Sequence, residues 1–327
     1  MASFPTALGL SAERTRQLMG SAGLAPSLHN RQPWRFRLTE QVIEVHADPQ
    51  RRLPAADPDD RELRLACGAA IMNLRLALAD AGVRPLVDPP PPAGSPTTLA
   101  EIRGGGRAVP TPAERALHDA IARRRSNRRP FREIPVPVAD RNALIDAAQQ
   151  EQGWLHVLTR TELDPFAELV HRAHRTQVDD EEFRAEFDRW TGRRRDEPEG
   201  VPTSSSGPRP EPQDLWVVRD FSAGQAPERV AGKDFEREPL LAVLCSHHDS
   251  RADELRAGQA MQRVLLTACA HGLSSSVLSV VTEVAETRDQ LRSMLGGSLH
   301  PQTVLRFGYG PPVPETPRRD PADLLMD

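Results

Sequence analysis

The sequence predicts an α+β fold built from two related halves. Three observations carry that prediction: a glycine-bounded helical segment that occurs twice, a tryptophan-led strand ahead of each copy, and a short glycine-ended strand behind each. Gly68 to Gly82 reads GAAIMNLRLALADAG, and Gly258 to Gly272 reads GQAMQRVLLTACAHG. Ala70 aligns with Ala260, Leu74 with Val264 and Leu76 with Leu266. The tripeptide Glu-Leu-Arg precedes both copies, at Glu62 and at Glu254.

Each element has a local reason. Ser11 to Leu18 reads as an N-terminal helix. Trp34 to Leu38 starts a strand, and Gln41 to Ala47 alternates like its hairpin partner. In the repeated segments apolar residues recur three and four apart and cover nearly every face, as in helices buried at a centre. Their closing glycines are natural helix stops. Leu99 to Gly106 is a strand. Thr111, Pro112 and Glu114 then form a capping-box start to the next helix. Trp154 to Leu158 and Thr303 to Gly310 repeat the two strand types, so the halves are expected to meet near residue 110, as residues 1–110 and 111–327.

Two segments interrupt the plan. Pro89 to Pro96 (PPPPAGSP) is a stiff connection unsuited to a sheet interior. Thr191 to Pro212 is polar, charged and rich in proline and serine; it reads as a disordered linker or as a loop folded over something. Its place between a helix and a strand suggests a lid.

Composition removes several classes of function. At 327 residues with a net charge of −4, the chain has room for about two globular units and no overall basic character to attract nucleic acid. Cys67, Cys245 and Cys269 are odd in number and contain no CxxC pair, so neither a disulfide framework nor a zinc ribbon is supported, and buried, inert thiols are expected. The N-terminus lacks a signal-peptide pattern, and no stretch approaches the length of a membrane span; a soluble, cytoplasmic protein is expected. There is no GxGxxG after a strand, no P-loop and no GxSxG. His247-His248-Asp249 lacks a distant matching cluster, so no metal is expected.

Three stretches could carry chemistry. Ala25-Pro-Ser-Leu-His-Asn-Arg-Gln-Pro-Trp34 is a proline-bounded loop bearing Ser27, Asn30 and Gln32. It reads either as an ordinary helix-to-strand turn or as a rigid set of donors and acceptors for a heteroaromatic edge. Arg123-Arg-Arg-Ser-Asn-Arg-Arg129 at a helix end is a solvated basic face or a phosphate clamp, since guanidinium groups donate paired bonds to phosphate oxygens. Thr316-Pro-Arg-Arg-Asp320 is a tail that, taken alone, reads as solvated.

Together these stretches resemble the nitroreductase superfamily. Pro26-Ser27-Leu28-His29-Asn30-Arg31-Gln32-Pro33-Trp34 is similar to that family's flavin-ring loop, P-S-x-x-N-x-Q-P-W. Arg124-x-Ser126-x-Arg128 resembles its FMN-phosphate motif, and Arg318-Arg319 its last phosphate contact. His271 to Val280 resembles the stretch whose backbone N–H approaches flavin N5, near Ser279 and Val280. The resemblance implies a nitroreductase-like α+β fold and a flavin site with Pro26, Ser27, Asn30 and Gln32 at the ring and Arg124, Ser126, Arg128, Arg318 and Arg319 at the phosphate. Leu28 stands where many relatives have a small polar residue.

The motifs are divided between the halves. The second half has the arginines but a short Ala148-Gln-Gln-Glu-Gln-Gly-Trp154 loop, while the first keeps the ring loop but has no arginine-serine-arginine run in Ser11 to Leu18. That pattern is similar to the Acg-type branch, in which one chain imitates a dimer and a lid covers the flavin. It implies one FMN per chain in a monomer that is an internal pseudo-dimer. The expected activity is hydride transfer from NADPH or NADH through flavin to a small-molecule acceptor, a nitroaromatic or a quinone; no separate catalytic acid or base can be named from the sequence. The alternative is a flavin-sequestering protein whose lid, placed at residues 191–212, suppresses turnover.

Overall fold

The repeat is visible in the strand order. In the computed structural model, which describes residues 4–90, 95–226, 229 and 235–326, the chain forms two antiparallel four-stranded sheets with the same topology. The first half contributes α1 (Ala12–Gly23), β1 (Trp34–Leu38), β2 (Val42–Ala47), α2 (Arg61–Asp80), β3 (Val83–Asp88) and β4 (Thr98–Arg107). The second contributes α3 (Pro112–Arg123), α4 (Val138–Gln150), β5 (Trp154–Val157), α5 (Arg160–Asp179), α6 (Glu181–Trp190), β6 (Leu240–Ser246), α7 (Arg251–Ala270), β7 (Ser274–Val277), α8 (Val280–Glu283), α9 (Ala285–Met294) and β8 (His300–Gly308). The sheets run β1-β2-β4-β3 and β5-β6-β8-β7, element for element the same order. Even the register shifts correspond, at Val45/His46 in one sheet and Leu244/Cys245 in the other.

The two repeated helices, α2 and α7, pack on each other at the centre and are buried along most of their length. They begin seven residues earlier than the glycine-bounded reading suggests, so Gly68 and Gly258 lie inside helices. The reason is their crossing. A Cβ at Gly68 would sit 2.1 Å from the Leu255 carbonyl oxygen, and one at Gly258 would sit 2.1 Å from the Leu65 carbonyl oxygen. The reciprocal contact is a local pseudo-twofold at which only glycine lets the backbones meet. The closing glycines do stop the helices: Gly82 and Gly272 follow them at φ +85° and +75°, in the left-handed region.

The halves share one core. Met19, Trp34, Phe36, Ile71 and Leu74 from the first pack in the same cluster as Leu144, Leu155, Leu244, Val264 and Phe307 from the second. Buried polar pairs also cross between them: Arg64 with Glu254, and Gln262 Nε2 donating to Asn73 Oδ1 at 2.7 Å. The C-terminal tail returns to the first half, where Met326 N–H donates to the Phe36 carbonyl and Arg16 pairs with Asp320. Between α6 and β6 the described part of residues 191–239 takes a defined path across the junction, including a short 3-10 turn at Thr203–Ser205. Composition read this stretch as more suited to disorder. Its backbone is instead tied by bonds such as Val201 N–H to the Trp190 carbonyl at 2.7 Å.

Pro89 and Pro90 follow edge strand β3, and the middle of the expected proline connection lies outside the described residues. Cys67 and Cys245 are buried, and burial pushes both thiols up to about 12, so both stay protonated. Cys269 is half-buried, a departure from the uniformly buried expectation.

Candidate functional site

Two adjoining cavities lie at the junction of the halves, with Pro26, Ser27, Ser126 and Arg128 as common walls. Counting the space at their mouths that is open to solvent, the larger measures about 880 Å³ and the smaller about 830 Å³. One wall is the loop after α1 together with Glu62, Leu65 and Ala66 of α2. The facing wall is Met261 of α7 and the run Ser276–Val280. The smaller cavity is lined by Asn30, Arg124, Arg125, Val201, Thr316 and Arg318, among others.

Local sequence shapes both walls. The capping box at Thr111 and Glu114 is present, with Glu114 N–H donating to Thr111 Oγ1 at 3.2 Å, and it starts α3 cleanly. At the other end Arg124 leaves the helix with extended backbone, and Ser126 bridges Ser275 beside β7. The arginine run therefore lies along a sheet edge at the junction. The facing loop is held in an unusual shape: His29, Asn30 and Gln32 all have φ between +52° and +55°, where non-glycine residues are uncommon. Ser27 Oγ accepts from Gln32 N–H at 3.0 Å and closes the loop on itself.

The smaller cavity gathers cations, with Arg124 buried and Arg128 and Arg318 half-buried. Burial, then the charge of Arg125, lowers the Arg124 guanidinium to about 10; burial, then Arg124 and Arg125, lowers Arg318 to about 9; burial, then Arg124 and Arg219, lowers Arg128 to about 10. Arg124 Nε is enclosed without a hydrogen-bond partner. The one carboxylate on this wall, Glu315, is turned outward to Arg125 with its side chain 82% exposed. Crowded, desolvated guanidinium groups of this kind are stabilised by a multivalent anion. Asn30 adds an enclosed, unpartnered carbonyl oxygen, while its Nδ2 donates to the Gly200 and Pro317 carbonyls.

The larger cavity contains groups that no local motif announces. Arg219 Nη1 donates to Glu283 at 3.1 Å and Nη2 donates to Gln177 at 2.6 Å. Burial alone would push Glu283 up; Arg219, with smaller help from His29 and Ser279, holds it down at about 2. His29 is buried against Phe187 and Phe221 with both ring nitrogens unpartnered, and burial lowers it to about 3, so it is neutral. Arg128 lies over the Phe221 ring at 4.4 Å and donates to the Ser205 carbonyl at 3.0 Å.

The expected site residues divide into two sets. Pro26, Ser27, Ser126 and Arg128 line both cavities; Ser279 and Val280 line the larger; Asn30, Arg124 and Arg318 line the smaller. Gln32 and Arg319 line neither. The Gln32 amide is spent on protein, donating to the Pro198 carbonyl at 2.7 Å and accepting from Arg319 N–H at 3.0 Å. Arg319 faces Glu199 at 3.6 Å and donates to the Asp323 carbonyl. Gln32 thus joins the loop to the 191–239 segment and the tail. Gln32→Ala is expected to cost about 1–3 kcal/mol, read from the midpoint of denaturant unfolding.

Reasoning from sequence did not single out Glu62, His29, Arg219, Glu283 or Phe221. In the sequence Glu62 stands out only as part of the repeated Glu-Leu-Arg, and a repeated charge at the head of each central helix is the one signal available. Arg219 and Phe221 lie beyond the segment first marked as a lid. His247 and His248 are exposed, and Asp249 pairs with Arg288 at 2.5 Å. No group of three or more metal-ligating side chains occurs among the described residues. No described helix is long and apolar enough to cross a membrane.

The model of the Nitroreductase family matches residues 121–309, more than half of the chain. The chain belongs to the nitroreductase family. It is 36% identical to "Putative NAD(P)H nitroreductase Rv3131" of Mycobacterium tuberculosis, over 96% of this chain and 91% of that one. It is 32% identical to "Putative NAD(P)H nitroreductase acg" of the same organism, over 90% of each. Among solved structures, the FMN-dependent nitroreductase NfnB from Mycobacterium smegmatis, in complex with NADPH, is 20% identical with a TM-score of 0.41, over 64% of this chain and 96% of that one. The family match begins inside α3 and ends just past β8, so it covers the half that carries the arginine run. The ring loop stands outside it, in the preceding half.

Proposed function

We propose that this nitroreductase-family chain binds one FMN at the junction of its halves and is an NAD(P)H-dependent oxidoreductase. The observation that carries the reading is the cluster of Arg124, Arg128 and Arg318 beside a cavity walled by the loop after α1 and the run Ser276–Val280. Arg124, Arg318 and Arg128, with the Ser126 hydroxyl, would hold the phosphate, and the unpartnered Asn30 oxygen would accept from a hydroxyl of the ribityl chain. Pro26, Ser27, Ser279 and Val280 would border the ring. When bound, FMN supplies two-electron hydride chemistry. The chain's own residues orient the ring, exclude water through Trp216–Phe221, and supply N–H donors at the start of α8.

Two features support a single site. The corresponding concavity of the other half, bounded by Gln149–Trp154 and Cys245–His248, has Arg256 as the one arginine on its described wall. The 191–239 segment crosses the first site, with Pro198, Gly200 and Ser205 carbonyls held by Gln32, Asn30 and Arg128. This segment is the lid of the proposed site, and its ring-facing part extends beyond residue 212 to Phe221. The acceptor that fits the cavity is a flat nitroaromatic or quinone. The purified protein is expected to be yellow with one FMN per chain; two per chain would overturn the divided site.

The same lid contacts favour a second reading, in which FMN is sequestered and turnover is slow. Anaerobic mixing with NADPH or NADH separates the two. Rapid bleaching of the flavin absorbance, reversed by added quinone, supports the oxidoreductase. Persistent colour with both nicotinamides, restored to bleaching when the lid is shortened, supports sequestration.

A further inference from the structure

The wall of the larger cavity carries a carboxyl group with no part in holding phosphate or in closing the lid. Glu62 lies in the first turn of α2, buried, with its side chain on the cavity surface between the ring loop and α8. Its backbone N–H is fixed by Asp57 Oδ1 at 2.9 Å. One carboxyl oxygen, Oε1, accepts from Arg61 Nη2 at 2.5 Å, and among the described residues the other has no hydrogen-bond partner. Glu62 is one of the residues that line the cavity, and its second carboxyl oxygen is left for a bound molecule. The same Arg61 guanidinium also donates to the Thr282 carbonyl at 2.9 Å and to the Gln302 carbonyl.

We propose that Glu62 is the proton donor to the acceptor bound in the larger cavity. This rests on the oxidoreductase reading and adds a residue to it. Reduction of a quinone to a hydroquinone takes two electrons and two protons. The nicotinamide hydride donor accounts for two electrons and one proton. The Glu62 O–H bond breaks to supply the other, an O–H bond forms on the acceptor oxygen, and water then reprotonates the carboxylate. Among the titratable groups facing the cavity Glu62 is the one suited to this. His29 is neutral far above its titration range, Glu283 is ionised by Arg219, and Arg128 and Arg219 remain cations.

The charge environment agrees. Burial pushes Glu62 up to about 7; Arg61 and Arg31 oppose that shift, while Glu283 and Asp57 reinforce it. The group is therefore protonated below about pH 7 and a carboxylate above it. Acceptor reduction should be fast on the acid side and fall as pH rises through that value.

The test uses the full chain with Glu62→Gln, which keeps the shape but cannot titrate, and Glu62→Asp, which keeps the acid. Three readouts are taken: FMN binding by fluorescence quenching, the carboxylic-acid C=O infrared band across pH, and the pH profile of quinone-dependent reoxidation after NADPH reduction. Wild type should lose an infrared band near neutrality that Glu62→Gln lacks. Glu62→Gln should bind FMN normally, reoxidise roughly 10²-fold more slowly at pH 6, and approach wild type at pH 9. Glu62→Asp should restore a pH-dependent profile. Failure of wild type to bind FMN would overturn the function reading. Normal FMN binding with an unchanged pH profile in Glu62→Gln would overturn the proton-donor assignment alone. So would a wild-type protein with no band titrating near neutrality, which is measurable with or without flavin.

Discussion

Replacing Arg124 and Arg318 together with alanine is expected to weaken FMN binding by about 2–5 kcal/mol. Both residues line the smaller cavity, Arg124 buried and Arg318 half-buried. Their burial in the flavin-free protein is unfavourable, because each guanidinium is desolvated and faces Arg125. The linkage sign follows from their lowered values. Unfolding raises the affinity for protons, so the penalty is present in full at neutral pH and fades only as pH climbs through about 9 to 10 toward the ordinary arginine value. Removing the pair should therefore leave the thermal midpoint of the flavin-free protein unchanged or raised while lowering that of the FMN-bound protein. Titration of the variant with FMN, followed by flavin fluorescence, measures the first effect and differential scanning calorimetry the second. Undiminished affinity would move the phosphate elsewhere. A fall in affinity together with a collapse of the flavin-free fold would assign these arginines to structure.

Gly68→Ala is expected to destabilise the fold by more than about 3 kcal/mol, and Gly258→Ala by a similar amount. The added methyl would meet a carbonyl oxygen at 2.1 Å in each case, Leu255 for the first and Leu65 for the second. Those atoms are helix backbone, so relief requires α2 and α7 to separate. Separation would unpack the shared core and pull Arg64 from Glu254, both buried. A control lies just past the end of the same helix: Gly82, at φ +85° with nothing within 4 Å of a built Cβ. Gly82→Ala meets backbone strain alone and should cost about 1–2 kcal/mol. Denaturant unfolding of the three variants provides the comparison, and equal costs at Gly68 and Gly82 would remove the crossing as the cause. Because the larger cavity is walled by both helices, through Glu62, Leu65, Ala66 and Met261, the two crossing variants should also lower FMN content.

Much of the fold was legible from local pattern. Apolar spacing marked α2 and α7, turn chemistry marked their ends, and a capping box marked α3; each depends on residues within a few positions of one another. The matching sheet orders add what periodicity does not contain, since strand pairing joins residues such as Leu155 and Leu244 across a long insertion. Of the residues in compact motifs, Pro26, Ser27, Ser126, Arg128, Ser279 and Val280 line the cavities. Gln32 and Arg319 do not. Both belong by spacing to the ring and phosphate motifs, yet each is bonded to the lid or the tail.

By itself the sequence determined the two-half plan, the central helices and the division of the motifs, because propensity, capping and charge type act over short chain distances. The tertiary structure alone decided that Gly68 and Gly258 form a helix crossing, and that Glu62, His29 and Arg219 line one cavity, with Glu283 paired to Arg219. Those outcomes depend on backbone clearance and desolvation, which arise only when segments 150 or more residues apart are packed together, as Glu62 and Arg219 are at this cavity wall.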